Sequence, residues 1–257
     1  MGRPLDGRVA LVTGGTAEGM GRSIAFTLAR DGADVAVNYG THRRPSAAAV
    51  RRIVRAIEDS DVRGIAVRAD TSKGADVRRL VERVREALGP VDILVNNAGG
   101  SWRVQRDLLR VDDAHWERVL RTEVDGMIHG IKAVLPNMRR KRWGRIVNIG
   151  MERSEEFTGP PYDYTLGKIA RHGLTRILAE VEIDRGITVN AVAPGYIPYL
   201  SFREAADAVR HRGPWPRRTH GTPQDVAEVV AWLASDAARF VKAAVIPVHG
   251  APFEPEG

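Results

Sequence analysis

Val9-Ala10-Leu11-Val12-Thr13-Gly14-Gly15-Thr16-Ala17-Glu18-Gly19-Met20-Gly21 is the stretch on which the reading of the fold turns. Four consecutive apolar residues read as a short buried strand, Gly14, Gly19 and Gly21 as a tight turn, and Ser23 to Arg30 as a helix. Glycine in such a turn lets the backbone come close to a pyrophosphate. The helix that follows offers unpaired N–H donors and the positive end of its dipole. The spacing departs from the G-x-G-x-x-G fingerprint, so the loop by itself names no ligand.

Working outward, the same alternation repeats along the chain. Short apolar runs occur at Val35–Val37, Ile65–Val67, Ile93–Val95, Ile146–Ile149, Thr188–Val192 and Ala244–Val248. Between them lie helix-length segments at Ala47–Asp59, Asp76–Leu88, Ala114–Arg121, Met127–Arg140, Asp163–Ile183 and Pro223–Ala234. The second of these runs, Ile65–Val67, is followed by apolar residues at helical spacing: Val77, Leu80, Val81, Val84 and Leu88. Strands that alternate with helices predict a parallel sheet covered on both faces, an α/β doubly wound Rossmann fold of seven strands. No repeat or long linker divides residues 1–257, which are expected to form one domain. The Pro/Gly/Arg-rich segment 196–220, with a short helix at Phe202–Arg210, leaves from the carboxyl end of a strand and is expected to act as a substrate lid.

The 257 residues suffice for one substantial core. The absence of cysteine excludes disulfides, thiolate catalysis and cysteine-based metal sites, and no metal is expected. No apolar run reaches the ~20 residues needed to span a bilayer. Met1 to Gly7 lacks the apolar core of a secretory signal, which makes the cytoplasm the expected location. The net charge of +7 comes almost wholly from arginines scattered among acids, as in Arg78-Arg79 to Glu82-Arg83. That distribution reads as solvated helix faces rather than a nucleic-acid footprint, although a basic surface favours an anionic ligand.

Several separate segments together make the chain resemble the short-chain dehydrogenase/reductase family. Thr13-Gly14 to Gly19-Met20-Gly21, with Thr16 inside it, is similar to that family's T-G-x-x-x-G-x-G loop with one residue inserted. Asn96-Asn97-Ala98-Gly99 is similar to its N-N-A-G, and Pro194-Gly195, two residues before Ile197, to its P-G. The resemblance runs from Gly7 to Val248. It implies a nicotinamide dinucleotide held by Gly14, Thr16, Gly19, Met20 and Gly21, with Asp70 near adenine. It extends that cofactor site to Asn97, Ala98, Gly99, Pro194, Gly195, Ile197 and Lys168. It also implies a homodimer or homotetramer. An acid at the end of the second strand would accept from the ribose 2′-hydroxyl and repel a 2′-phosphate. Asn38-Tyr39-Gly40-Thr41-His42-Arg43-Arg44 has none, which favours NADP(H) over NAD(H), with Arg43 or Arg44 as phosphate partner. Glu18 in the loop argues the other way, through repulsion of the phosphates.

Tyr164 and Lys168 form Y-x-x-x-K, and their i, i+4 spacing places them on one helix face. A neighbouring ammonium favours the phenolate and draws the phenol pKa down from ~10. In the family the tyrosine gives or takes the proton and the lysine holds the nicotinamide ribose. Two positions depart from the pattern. The family's serine stands thirteen residues before the tyrosine, where this chain has Met151, whose thioether has no proton to donate. Ser154, three residues on, is a substitute only if the loop is rearranged. Glu123 takes the place of an asparagine that supports a proton relay. Such a carboxylate would pair with Lys168 and raise the Tyr164 pKa, act as a base itself, or lie idle on a helix surface. Tyr199 and Lys242-Ala243-Ala244 also replace family residues, and Trp102, Arg103, Phe202, Trp215, Arg212, Arg217 and Arg218 are candidates to shape the substrate pocket.

The leading expectation is an enzyme that interconverts a ketone and a secondary alcohol with NAD(P)(H) and a small-molecule substrate. Two others stay open: a non-redox cyclase, isomerase or dehydratase using Tyr164, Glu123 or Glu152, and a catalytically weak binding subunit.

Overall fold

The computed structural model describes residues 2–16, 19–40, 45–100, 102–156, 159–211, 213, 215 and 218–249. Among these, seven strands alternate with eight α-helices. The first half comprises β1 (Val9–Val12), α1 (Met20–Arg30), β2 (Asp34–Tyr39), α2 (Ala47–Glu58), β3 (Gly64–Arg68), α3 (Gly74–Ala87) and β4 (Ile93–Asn96). The second comprises α4 (Asp113–Leu120), α5 (Gly126–Lys141), β5 (Gly144–Ile149), α6 (Tyr162–Glu182), β6 (Ile187–Pro194), α7 (Phe202–Arg210), α8 (Pro223–Ala234) and β7 (Val245–Val248).

The strands form one sheet in the order β3-β2-β1-β4-β5-β6-β7, and every neighbouring pair is parallel. Alternation along β1 shows why both faces are covered. Ala10 and Val12 join a core with α1, α2 and α8, whereas Val9 and Leu11 join a second core with α3, α5 and α6. The strand order reverses between β1 and β4, which opens a crevice at their carboxyl ends. The doubly wound α/β architecture expected from the alternation is the one observed. No helix among the described residues is long and apolar enough to cross a membrane. No group of three or more His, Asp or Glu among them is placed to hold a metal.

Two helix boundaries differ from the sequence pattern, each for a physical reason. The first helix starts at Met20 rather than Ser23. Gly21 looks like a helix breaker, yet a Cβ there would lie 2.5 Å from the Gly14 carbonyl oxygen, so close packing requires glycine inside the helix. The middle helices are also not separate. A π turn, Arg121–Asp125, joins α4 to α5 and carries Glu123 into the interior.

Segment 196–220, expected from the sequence to act as a lid, is tied to the body at its start. Ser201 and Glu204 form a capping box on α7. Arg22 donates to the Leu200 carbonyl at 2.5 Å, and the Phe202 ring meets Phe26 of α1 edge-on at 5.7 Å. Phe202 therefore anchors α7 to α1 instead of lining the pocket. Arg218 donates to Asp225 and Thr222 at the start of α8. Arg212 and Arg217 lie outside the described residues.

A buried polar chain links the central strands to α6. Asn96 donates to Asn148 at 2.9 Å, and Asn148 donates to the Thr175 hydroxyl at 2.8 Å. Thr175→Val removes that acceptor at nearly constant volume and leaves the Asn148 amide unpaired. The expected cost is about 1–3 kcal/mol, to be read as a lower urea midpoint with an unchanged slope.

Candidate active site

The glycine turn lies at the carboxyl end of β1, against the end of β4. The Thr13 hydroxyl accepts from the backbone N–H groups of Asn97 and Ala98, both at 3.0 Å. The Asn97 amide donates to the carbonyls of Thr13 at 2.9 Å and Gly14 at 3.3 Å. Gly14 adopts φ +66°, and a Cβ there would sit 3.1 Å from the Asn97 amide. Asn97 thus buttresses the turn from the neighbouring strand. Helix α1 has Gly19 as its N-cap, with no side-chain cap bond and no acid in its own first turn, so among the described residues its first N–H groups are not met by a carboxylate of that turn. These features fit a dinucleotide pyrophosphate. Glu18 and Arg43 lie outside the described residues.

The remaining cofactor candidates divide by what they contact. Asp70 accepts from the Ser72 N–H and hydroxyl, closing the turn after β3. Gly195 donates to the Val248 carbonyl at 3.0 Å, and the Pro194 carbonyl accepts from Glu152, fastening the end of β6 to its neighbours. The side chains of Ile197 and Met20 pack into the core.

Tyr164 and Lys168 occupy the first two turns of α6, with the Lys168 Nζ 4.9 Å from the centre of the Tyr164 ring. Their surroundings are set by Glu123, which is fully buried and not on a helix surface. Its Oε2 lies 3.1 Å from Lys168 Nζ and 2.7 Å from Arg171 Nε. Its Oε1 accepts from Gly100 N–H at 2.8 Å. Two glycines make room for it. A Cβ on Gly99 would lie 2.5 Å from Oε1, and one on Gly167 2.6 Å from the Glu123 Cβ. Gly100 offers its N–H at the same corner.

Arg171, one turn beyond Lys168, is 0% exposed. It donates to the carbonyls of Glu123 at 3.0 Å, Asn96 at 2.7 Å and Ile149 at 3.2 Å, and also to that of Ala98. It therefore joins the carboxyl ends of β4 and β5 to the π turn. Removing one partner from a buried ion pair of this kind costs about 3–5 kcal/mol, because the other charge is left uncompensated. Sequence reading missed Arg171 and Gly167. The available signal was a basic residue at i+3 from Lys168 on the same helix face.

This charge set shifts both candidate groups. Burial first, and then the Glu123 carboxylate, raise the Tyr164 phenol well above its ordinary range, against an opposing effect of Arg171. Burial pushes Lys168 down to about 8, with Glu123 opposing and Arg171 adding to the fall. The pairing of Glu123 with Lys168 is one of the three outcomes the sequence left open, and its effect on Tyr164 has the sign that outcome implies.

Near the other departures, Ser154 does not stand in for Met151. The Ser154 side chain is buried beneath the loop, where its hydroxyl donates to Glu155 at 3.0 Å and lies 3.2 Å from His172 Nδ1. Glu152 pairs with His249. Trp102 meets the Tyr164 ring edge-on at 5.3 Å. The Tyr199 ring lies across Gly19, so that a Cβ there would be 3.0 Å from it. Gly21→Ala is expected to disrupt the turn at the Gly14 carbonyl and Asn97 amide. The predicted result is a stability loss of about 1–3 kcal/mol and at least a ~10-fold weaker nicotinamide dinucleotide affinity (~1.4 kcal/mol), measured by thermal unfolding and calorimetry.

Comparison with known proteins agrees with this geometry. Residues 15–250 match the family model described as Enoyl-(Acyl carrier protein) reductase. The chain is 38% identical over 250 residues to the 3-oxoacyl-(acyl-carrier-protein) reductase FabG of Pseudomonas aeruginosa, covering 96% of this chain and 97% of the relative. It is 34% identical over 251 residues to the acetoacetyl-CoA reductase of Allochromatium vinosum, covering 96% and 98%. Among solved structures, a blue fluorescent protein from a metagenomic library in complex with NADPH superposes with a TM-score of 0.81 at 34% identity, covering 96% of this chain and 98% of that one. The chain belongs to the short-chain dehydrogenase/reductase family and is an oxidoreductase of that family.

Proposed function

We propose that this oxidoreductase interconverts a ketone and a secondary alcohol with Tyr164 as its acid–base group and Lys168 as the cation that steadies it. The observation that carries the reading is the juxtaposition of Tyr164 and Lys168 at the carboxyl ends of β4 and β5, beside the glycine turn. When bound, a nicotinamide dinucleotide supplies or takes the hydride. Gly14, Gly19 and Gly21 of the turn, with Asn97 behind it, would hold that group, and Lys168 would reach its ribose. In the reductive direction Tyr164 gives its proton to the carbonyl oxygen as negative charge grows there, and the Lys168 ammonium stabilises the phenolate left behind. The raised phenol pKa keeps Tyr164 protonated through neutral pH. That is the form that gives a proton in the reductive direction.

The substrate class is a β-keto thioester or a ketone of similar size. This is supported by the two relatives named for 3-oxoacyl and acetoacetyl reduction. Trp102, beside Tyr164, supplies apolar surface at the mouth of the site. NADP(H) is the preferred cofactor: Asn38-Tyr39-Gly40 brings no carboxylate to the end of β2, and the NADPH complex of a structural relative points the same way. The chain works as one domain in the cytoplasm, with segment 196–220 over the substrate. Exposed Leu166, Ile177 and Val181 on α6 support a dimer or tetramer.

NADPH oxidation followed with acetoacetyl thioesters and simple ketones tests the reaction. Tyr164→Phe is expected to lower kcat by ~10²–10⁴ with Kd for NADPH unchanged. Activity left intact in that variant, or product formed without any change in cofactor absorbance, would remove this reading in favour of a non-redox enzyme. Met151→Ser restores a hydroxyl donor and is expected to raise kcat, since one such donor is typically worth ~10²–10³. Calorimetric titration should give tighter binding of NADPH than NADH, and the reverse order refutes the cofactor preference.

A further inference from the structure

A lone carboxylate at position 123 would work against the catalytic pair. Glu123 Oε2 is 3.1 Å from Lys168 Nζ with both groups buried, so the two charges alone would sum to zero beside Tyr164. Arg171 changes that sum. Its Nε lies 2.7 Å from the same oxygen, and the guanidinium stays charged at any working pH. Lys168, Glu123 and Arg171 together therefore present one net positive charge, as a lysine without Glu123 would.

The position is built rather than incidental. Arg171 is completely buried, and its donors are fixed by the carbonyls of Asn96, Ala98, Glu123 and Ile149. Lys168 shares the Ile149 carbonyl, at 3.3 Å. A displacement of Arg171 would move the strand end on which Lys168 rests and release the Glu123 carboxylate toward Lys168. We propose that Arg171 is a positioning residue of the catalytic constellation, acting through Glu123 to hold the carboxylate and to restore the net positive charge beside Tyr164.

Every charged group around Lys168 enters the test. Glu123 faces it from the π turn. Tyr164, Arg171 and His172 face it from α6, with His172 itself paired to Glu155, which also meets Arg176. Tyr199 acts on Tyr164 from the segment after β6. Of these, only Glu123 and Arg171 are in direct ionic contact with each other beside Lys168.

The significance of the inference rests on the oxidoreductase reading, but its main readout does not need turnover. The ammonium of Lys168 is titrated by heteronuclear NMR in the full-length protein and assigned by its loss in Lys168→Met. The wild-type midpoint is expected near 8. Glu123→Gln should move it down and Arg171→Met up, each by about one pH unit, and Arg171→Lys should hold it near the wild-type position. The double variant Glu123→Gln with Arg171→Met should return toward the wild type, and the rate–pH limb assigned to Tyr164 should follow the same order. An unchanged midpoint in folded Arg171→Met, or a double variant no closer to the wild type than the single one, overturns the proposal. If Arg171→Met does not fold, the comparison is made on the Glu123→Gln background. There, adding Arg171→Met must raise the midpoint, and no change refutes the coupling. Loss of ketone reduction in the wild type with the NMR pattern intact would instead reject the functional reading alone.

Discussion

The buried carboxylate of Glu123 is the constraint around which the catalytic half of this protein is arranged. A charge with no exposure persists only with partners, and Lys168 and Arg171 provide them from one face of α6. Fitting the side chain between two strand ends and two helices then requires Gly99 and Gly167 beside it, while the Gly100 N–H occupies the remaining oxygen. The π turn that carries Glu123 inward belongs to the same arrangement. One extra residue in that turn points a side chain at α6 that an uninterrupted helix would direct elsewhere.

The cofactor half depends on a different constraint, close approach of backbone. The turn after β1 is held through Thr13 and Asn97, two polar side chains that use backbone partners across the β1–β4 boundary. This is also where the sheet order reverses, so the cradle and the crevice coincide. The two halves meet at Ala98: its N–H donates to Thr13 on one side and its carbonyl accepts from Arg171 on the other. A single strand end therefore couples the dinucleotide turn to the ionic network under Tyr164.

The departures from the family pattern acquire physical meaning together. Where the resemblance implies a serine the chain has Met151, and the Ser154 hydroxyl is engaged with Glu155 and His172. Where it implies an asparagine the chain has Glu123, whose carboxylate is met by Arg171. Burial and the Glu123 carboxylate keep the Tyr164 phenol protonated, which on the proposed reading is the form that gives its proton to a carbonyl.

The alternation of apolar runs and helical segments was sufficient to determine the doubly wound sheet. Strand burial and helix amphipathicity are local patterns that the chain displays directly. The Tyr164–Lys168 pair and the glycine turn were equally legible, because i, i+4 spacing and turn chemistry need no knowledge of distant residues. The fate of Glu123 was not. Whether it lay on a surface, acted as a base or paired with Lys168 depended on the π turn, on three glycines and on Arg171, which come from separate parts of the chain. Phe202 and Ile197 show the same limit: the sequence offers Phe202 to the substrate pocket and the resemblance implies Ile197 at the cofactor, and each side chain packs against α1 or the core. Local sequence sets which elements form and which chemistry they carry. Only tertiary packing, which decides what each buried charge meets, sets the electrostatic balance at the Tyr164 hydroxyl.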